Sequence, residues 1–298
     1  MNSVDRTKVS FAEAEGKSRF PPILQWGEID ERLRSGLWNV IYLFLKSHIK
    51  FNASTRYYSL VDPAASILIR EHVHRRYEFF SDYTNRFSSD DVYLNNWADY
   101  FRKRDYIELF DFITFLVRDP DCPAQLIERI AYVLDEPYSP YRLSISAKTI
   151  YPAIDLDEAK SLERDVDAIF ASAFSGAKTH IRSSLENLGG GDYRAVVRES
   201  IHAVESAVRE YTGDPAAIVS KATKSLVAEL GVHRALADAF DKLYAYSNDE
   251  KGIRHALVFQ DNEKVGLDEA VFFLSACTAF VGFLSRKKLK IGDGLNSK

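Results

Sequence analysis

From Leu33 to Ile49 apolar side chains recur every three or four positions (Leu33, Leu37, Val40, Ile41, Phe44, Leu45), the spacing of a helix that buries one stripe. Asp30 stands where its carboxylate can accept from first-turn N–H groups, which predicts the start of that helix. Between Asn95 and Val117 aromatic and charged residues alternate at helical spacing, with Trp97, Phe101, Leu109, Phe112, Ile113 and Leu116 available for a core. A further helix is expected from Gln125 to Leu134, after the break at Cys122–Pro123. The period then changes. Tyr141 to Ile145 and Thr149 to Tyr151 read as two short strands around Ser146-Ala147-Lys148, a small hairpin that marks a boundary between domains.

Past Asp155 the pattern is helical throughout, near Leu156 to Phe174, Lys178 to Asn187, Tyr193 to Tyr211, Ala216 to Leu230, His233 to Ala245 and Asp268 to Ser285. Gly189-Gly190-Gly191, Gly213-Asp214-Pro215, Gly231 and the loop from Ser247 to Gly252 break it. The expected fold class is mainly α: an α-helical N-terminal domain with a small β-hairpin over 1–155, then a helical bundle over 156–298. Ala270 to Leu284 is uncharged, but fifteen residues rise only about 22 Å as a helix, short of the roughly 30 Å hydrocarbon core. It is expected to be a buried bundle helix, with no membrane contact.

The segment Tyr193 to Tyr211 has two faces. Tyr193, Val197, Ile201, Val204, Val208 and Tyr211 form a core stripe, and Arg194, Arg198, His202, Glu205 and Arg209 share an adjacent edge. That edge has two readings: a solvated face in which Arg198 pairs with His202 or Glu205, or a set of phosphate contacts. The most chemically suggestive stretch is YAYSNDEKGIRHAL, Tyr244 to Leu257, which ends in Arg254 and His255. A guanidinium neutralises developing charge while an imidazole moves a proton near neutral pH, the smallest kit for work on a phosphodiester.

Charge and cysteine content narrow the setting. Residues 1–159 carry 20 Lys and Arg against 24 Asp and Glu, and residues 160–298 carry 19 against 19. Any nucleic-acid contact must therefore come from a local patch. Cys122 and Cys277 form no CxxC pair, and the first twenty residues lack a signal peptide's apolar run, so a cytoplasmic setting is expected. His72 and His74, two apart on a helix, do not converge on a metal, and Gly189-Gly190-Gly191 lacks the Lys-Ser/Thr of a P-loop. No metal site and no cofactor are expected.

Six blocks in order carry a family resemblance: DERLRSGLWNVIY (Asp30 to Tyr42), WADYFRKRDYIELFDFI (Trp97 to Ile113), YRLSISAKTIYPAID (Tyr141 to Asp155), DYRAVVRESIHAVESAVREYTGD (Asp192 to Asp214), LADAFDKLYAYSNDEKGIRHAL (Leu236 to Leu257) and DEAVFFLSACTAFVGFL (Asp268 to Leu284). Together they resemble an AbiJ-type N-terminal domain followed by an abortive-infection C-terminal domain of the HEPN class, a two-part bacterial anti-phage defence family. The resemblance implies a HEPN-like bundle that often dimerises, and in many members a metal-independent ribonuclease. His255 would then transfer the proton and Arg254 stabilise the phosphate, with Arg198, His202, Arg194, Glu205 and Asn248 in support. Catalytic HEPN proteins place an Arg a few residues before the His; here Ser247-Asn248 stand at that place and Arg254 adjoins His255. The missing cation would come from Arg194, Arg198 or a second subunit. The implied partners are an RNA substrate, a second copy of the chain and a sensor or neutralising protein. The rival reading is a non-catalytic HEPN-like dimerisation or binding module.

Overall fold

The computed structural model describes residues 27–60, 89–136, 139–153, 156–215 and 265–296, together with 217, 233–235, 238, 239 and 242. Among the described residues the protein is mainly α, with eight helices and two two-stranded antiparallel hairpins. Helix α1 (Glu31–His48) starts as expected: Asp30 Oδ1 accepts from the Leu33 N–H at 2.8 Å, and Leu33, Leu37, Ile41 and Leu45 are buried. The chain then forms a hairpin that the sequence reading did not anticipate, β1 (Ile49–Asn52) against β2 (Tyr57–Leu60). Asn52 closes it, its side-chain oxygen accepting from the backbone N–H groups of Ser54 (3.0 Å) and Thr55 (3.2 Å).

The helical run around Asn95 to Val117 is two helices, α2 (Asp90–Lys103) and α3 (Tyr106–Arg118). The break falls at Arg104-Asp105 because Asp105 turns its carboxylate to the Glu108 N–H (2.8 Å) and caps α3. Arg34 from α1 donates to the Phe101 and Arg104 carbonyls, satisfying the end of α2. Helix α4 (Ala124–Leu134) follows Pro123. These helices enclose a first core in which the six expected residues are all buried, with Trp97, Phe101 and Phe112 packed ring against ring.

The second hairpin, β3 (Tyr141–Ser144) and β4 (Thr149–Pro152), joins this core to another. Alternation across the pleat puts Leu143 opposite Ile150 and Arg142 opposite Tyr151. Tyr141, Leu143 and Ile150 belong to the first core, whereas Tyr151 and the turn residue Ala147 belong to the second. The second core is built from α5 (Leu156–Ala171), α6 (Ser175–Gly189), α7 (Tyr193–Thr212) and α8 (Leu267–Asn296), with α7 packed between α6 and α8. Of the expected α7 stripe, Val197, Ile201, Val204 and Val208 are buried.

Helix α8 contains the apolar segment flagged in the sequence. The stretch Leu267–Lys287 is long and apolar enough to cross a membrane, yet over half of its most apolar window is buried inside the protein. Arg286 ties it to α5 by donating to the buried Asp165 at 2.8 Å. The expected helices over Ala216 to Leu230 and His233 to Ala245 lie essentially outside the described residues.

Arg118 joins three elements at once. Its Nε donates to Lys148 O (3.1 Å), its Nη2 donates to Thr149 Oγ1 (3.0 Å), and it pairs with Glu186 on α6. Both ionic partners are about two-fifths exposed, so the ion pair adds little and the hydrogen bonds to the hairpin carry most of the effect. Arg118→Ala should lower stability by about 1–2 kcal/mol, read as a lower urea midpoint at constant slope.

Candidate functional site

Helices α6 and α7 form a helical hairpin around Gly190 and Gly191, the latter in the left-handed region (φ 74°). Two antiparallel helices that pivot there must bring residues equally distant from the turn together. The interior of the seam is fixed by serines: Ser184 and Ser200 both donate to the Val196 carbonyl (3.0 and 2.7 Å), with their hydroxyls 2.9 Å apart. At its far end Glu210 accepts from the backbone N–H groups of Ser175 (2.8 Å) and Gly176 (2.7 Å), capping α6 from the neighbouring helix.

Between these fixed points lies a half-buried polar cluster. His180 of α6 sits with its Nδ1 at 2.8 Å from Glu199 Oε2, and Arg198 Nε donates to the other oxygen, Oε1, at 3.2 Å. The His202 ring is 5.3 Å from that of His180, inclined at 65°. Burial works against ionisation of Glu199; the hydrogen bonds from His180 and Arg198, with the charge of His202 nearby, outweigh it and hold the carboxyl below the ordinary glutamate value. An ionised Glu199 makes His180 the donor at Nδ1 and leaves its Nε2 as the basic nitrogen of the neutral ring.

The sequence-derived candidates divide. Arg198 and His202 enter the cluster, where Arg198 pairs with Glu199. Glu205 lies a turn further along, buried, 3.7 Å from Arg209 Nη2. Arg194 is half-buried one turn before Arg198. Arg254, His255 and Asn248 lie outside the described residues, as do His72 and His74. Sequence reasoning missed His180 and Glu199. Glu199 and His202 do form a readable Glu-x-x-His pair on one helix, and reflecting His180 through the Gly190-Gly191 turn lands beside both.

The cluster can take a proton at one imidazole, offer one from another and hold an anion on Arg198. No curated protein and no solved structure matches the chain. The profile of the AbiJ N-terminal domain 4 family matches residues 10–166, from before α1, through both hairpins and into α5, and stops short of the α6–α7 cluster. Since that match takes in more than half of the sequence, the chain belongs to the AbiJ N-terminal domain 4 family, and with it to the abortive-infection group of anti-phage defence proteins.

Proposed function

We propose that the chain is an abortive-infection effector that cleaves RNA without a metal ion, through a HEPN-like bundle formed by its C-terminal helices. The observation that carries this reading is the carboxylate-oriented imidazole of His180, set beside His202 and the guanidinium of Arg198. In the proposed reaction His180 Nε2 removes the 2′-hydroxyl proton and the 2′-oxygen attacks phosphorus. The bond from phosphorus to the 5′-oxygen breaks, and His255 protonates that leaving oxygen. Arg198 and Arg254 neutralise the phosphorane, and His202 donates to a non-bridging oxygen. The products are a 2′,3′-cyclic phosphate and a 5′-hydroxyl, so no further reactant is needed.

Purified protein incubated with single-stranded RNA should generate cyclic-phosphate ends in the presence of a chelator. His180→Ala and His255→Ala should each slow cleavage by at least about 100-fold, the usual worth of a positioned acid or base. Full activity in His180→Ala would remove the α6–α7 cluster from the reaction, and full activity in His255→Ala would remove the loop. A second reading, a non-catalytic dimerisation or binding module, draws on the mutual pairing of His180, Glu199 and Arg198, which also describes a structural network. It requires a stable dimer by light scattering that binds RNA or a partner protein and leaves RNA intact.

A further inference from the structure

His180, Glu199 and His202 each present one donor atom, and these atoms all lie within 4.8 Å of one another. An ion held at about 2.0–2.2 Å by tetrahedral ligands needs them about 3.3–3.6 Å apart, a gap that small side-chain rotations close. His180 Nδ1 and Glu199 Oε2 are already nearer than that, at 2.8 Å. We infer that the α6–α7 seam binds one divalent transition-metal ion of the zinc class. The donor set is two imidazole nitrogens and one carboxylate oxygen, which suits zinc or cobalt and leaves a fourth position open to water. Magnesium and calcium want six or more oxygens and find one here.

The surroundings have the form of a metal shell. Arg198 holds Oε1 of Glu199 at 3.2 Å, which fixes the plane of the carboxylate and leaves Oε2 for the ion. The three ligands come from two helices whose register is locked on one side by the Ser184–Ser200 pair and on the other by the Glu210 cap, so ligand spacing is set by rigid elements. Glu-x-x-His on one helix, completed by a side chain from its antiparallel neighbour, is a recurrent way for helical bundles to build ion sites. His180 and Glu199 are partly open to solvent (side chains 30% and 15% exposed), which gives the ion an entry path. On binding at Nδ1, the single proton of the neutral His180 ring moves to Nε2, and the ion takes its place between His180 and Glu199.

The functional consequence rests on the ribonuclease reading above: imidazoles whose lone pairs are coordinated cannot exchange protons, so the ion switches cleavage off. Full-length protein freed of metal with a chelator is titrated with cobalt(II). One equivalent should bind with the visible absorption bands of a tetrahedral site and should be displaced by zinc. His180→Ala, His202→Ala and Glu199→Gln should each weaken binding at least about tenfold. His233→Ala, at an exposed histidine that is not among the three ligands, should leave it unchanged. Circular dichroism of the metal-free variants checks that each remains folded.

No saturable cobalt binding, or equal binding in folded His180→Ala and His202→Ala, overturns the site. Cleavage that persists with zinc bound stoichiometrically overturns the switch. Cobalt bound as described by a protein that never cleaves RNA, with or without chelator, supports the site while sinking the ribonuclease reading.

Discussion

Arg142→Ala should destabilise the protein by about 3–5 kcal/mol, the cost of leaving buried backbone acceptors without a donor. Arg142 lies on β3 with its side chain 8% exposed, and the two N–H bonds of its Nη1 are shared among three carbonyls: Leu134 O at 2.7 Å, Ser139 O at 2.9 Å and Tyr141 O at 2.6 Å. Leu134 is the last residue of α4, so the guanidinium closes the negative end of that helix as well as satisfying a carbonyl. Tyr141 O keeps a second donor in Ser139 Oγ, whereas among the described residues the carbonyls of Leu134 and Ser139 have no other donor and would be left to whatever water can enter. Arg142→Lys, with a shorter reach but the same charge, should recover part of the loss, and Arg142→Met, which restores volume alone, should recover less. Urea unfolding followed by circular dichroism measures all three; a loss below about 1 kcal/mol in the alanine variant would mean that water fills the gap.

The ease of placing α1 and the difficulty of placing Arg142 have one cause. A helix stripe such as Leu33, Leu37, Ile41 and Leu45, or a cap such as Asp30, depends on residues three or four apart and is written locally. The same holds for β3–β4 and for the α7 stripe, each recovered to within a residue or two at its ends. Hairpin β1–β2 was legible in principle, since Asn52-Ala53-Ser54-Thr55 is turn chemistry between Ile49-Lys50-Phe51 and Tyr57-Tyr58, but the helical period running into Ile49 masked it. Asp105 was likewise a cap hidden inside a run that keeps its helical spacing on both sides.

Contacts between distant segments follow a different rule. Arg118 reaching the hairpin and Glu186, or His180 meeting Glu199, depend on how helices are offset against one another, and periodicity within a single helix carries no such information. For α6 and α7 the offset could have been inferred from the short glycine turn. For Arg118 nothing local gives it. The family match ends in α5 and so also leaves the α6–α7 seam to be read from geometry alone.

Glu163→Gln should remove most of a pH dependence that the wild type shows between about pH 5 and 8. Glu163 projects from α5 toward the β3–β4 hairpin beside a cavity of about 190 Å³ that Asp135, Arg142 and Lys160 also line. Burial pushes its carboxyl up to about 7, the charge of Asp167 adds to the rise, and hydrogen bonds from Ser144, the Ile145 backbone and Tyr151 oppose it. Tyr151, raised mainly by its own burial, keeps its phenolic proton and donates to Oε2 at 3.4 Å. Between its ordinary value near 4.5 and about 7, the folded protein retains a proton that the unfolded chain has released. Stability therefore falls as pH rises through that window, and above it the ionised carboxylate costs about 3 kcal/mol relative to low pH. The amide cannot ionise, and it offers one acceptor oxygen where the carboxylate offers two, so it adds an offset of its own that is the same at every pH. The slope is thus the diagnostic quantity. Urea midpoints at pH 5, 6, 7 and 8 should converge or cross for the two proteins, with the variant gaining about 2.5 kcal/mol on the wild type from the lowest to the highest pH. Parallel profiles would mean that Glu163 ionises as freely folded as unfolded, and that the wall shared by the two cores tolerates a charge without cost.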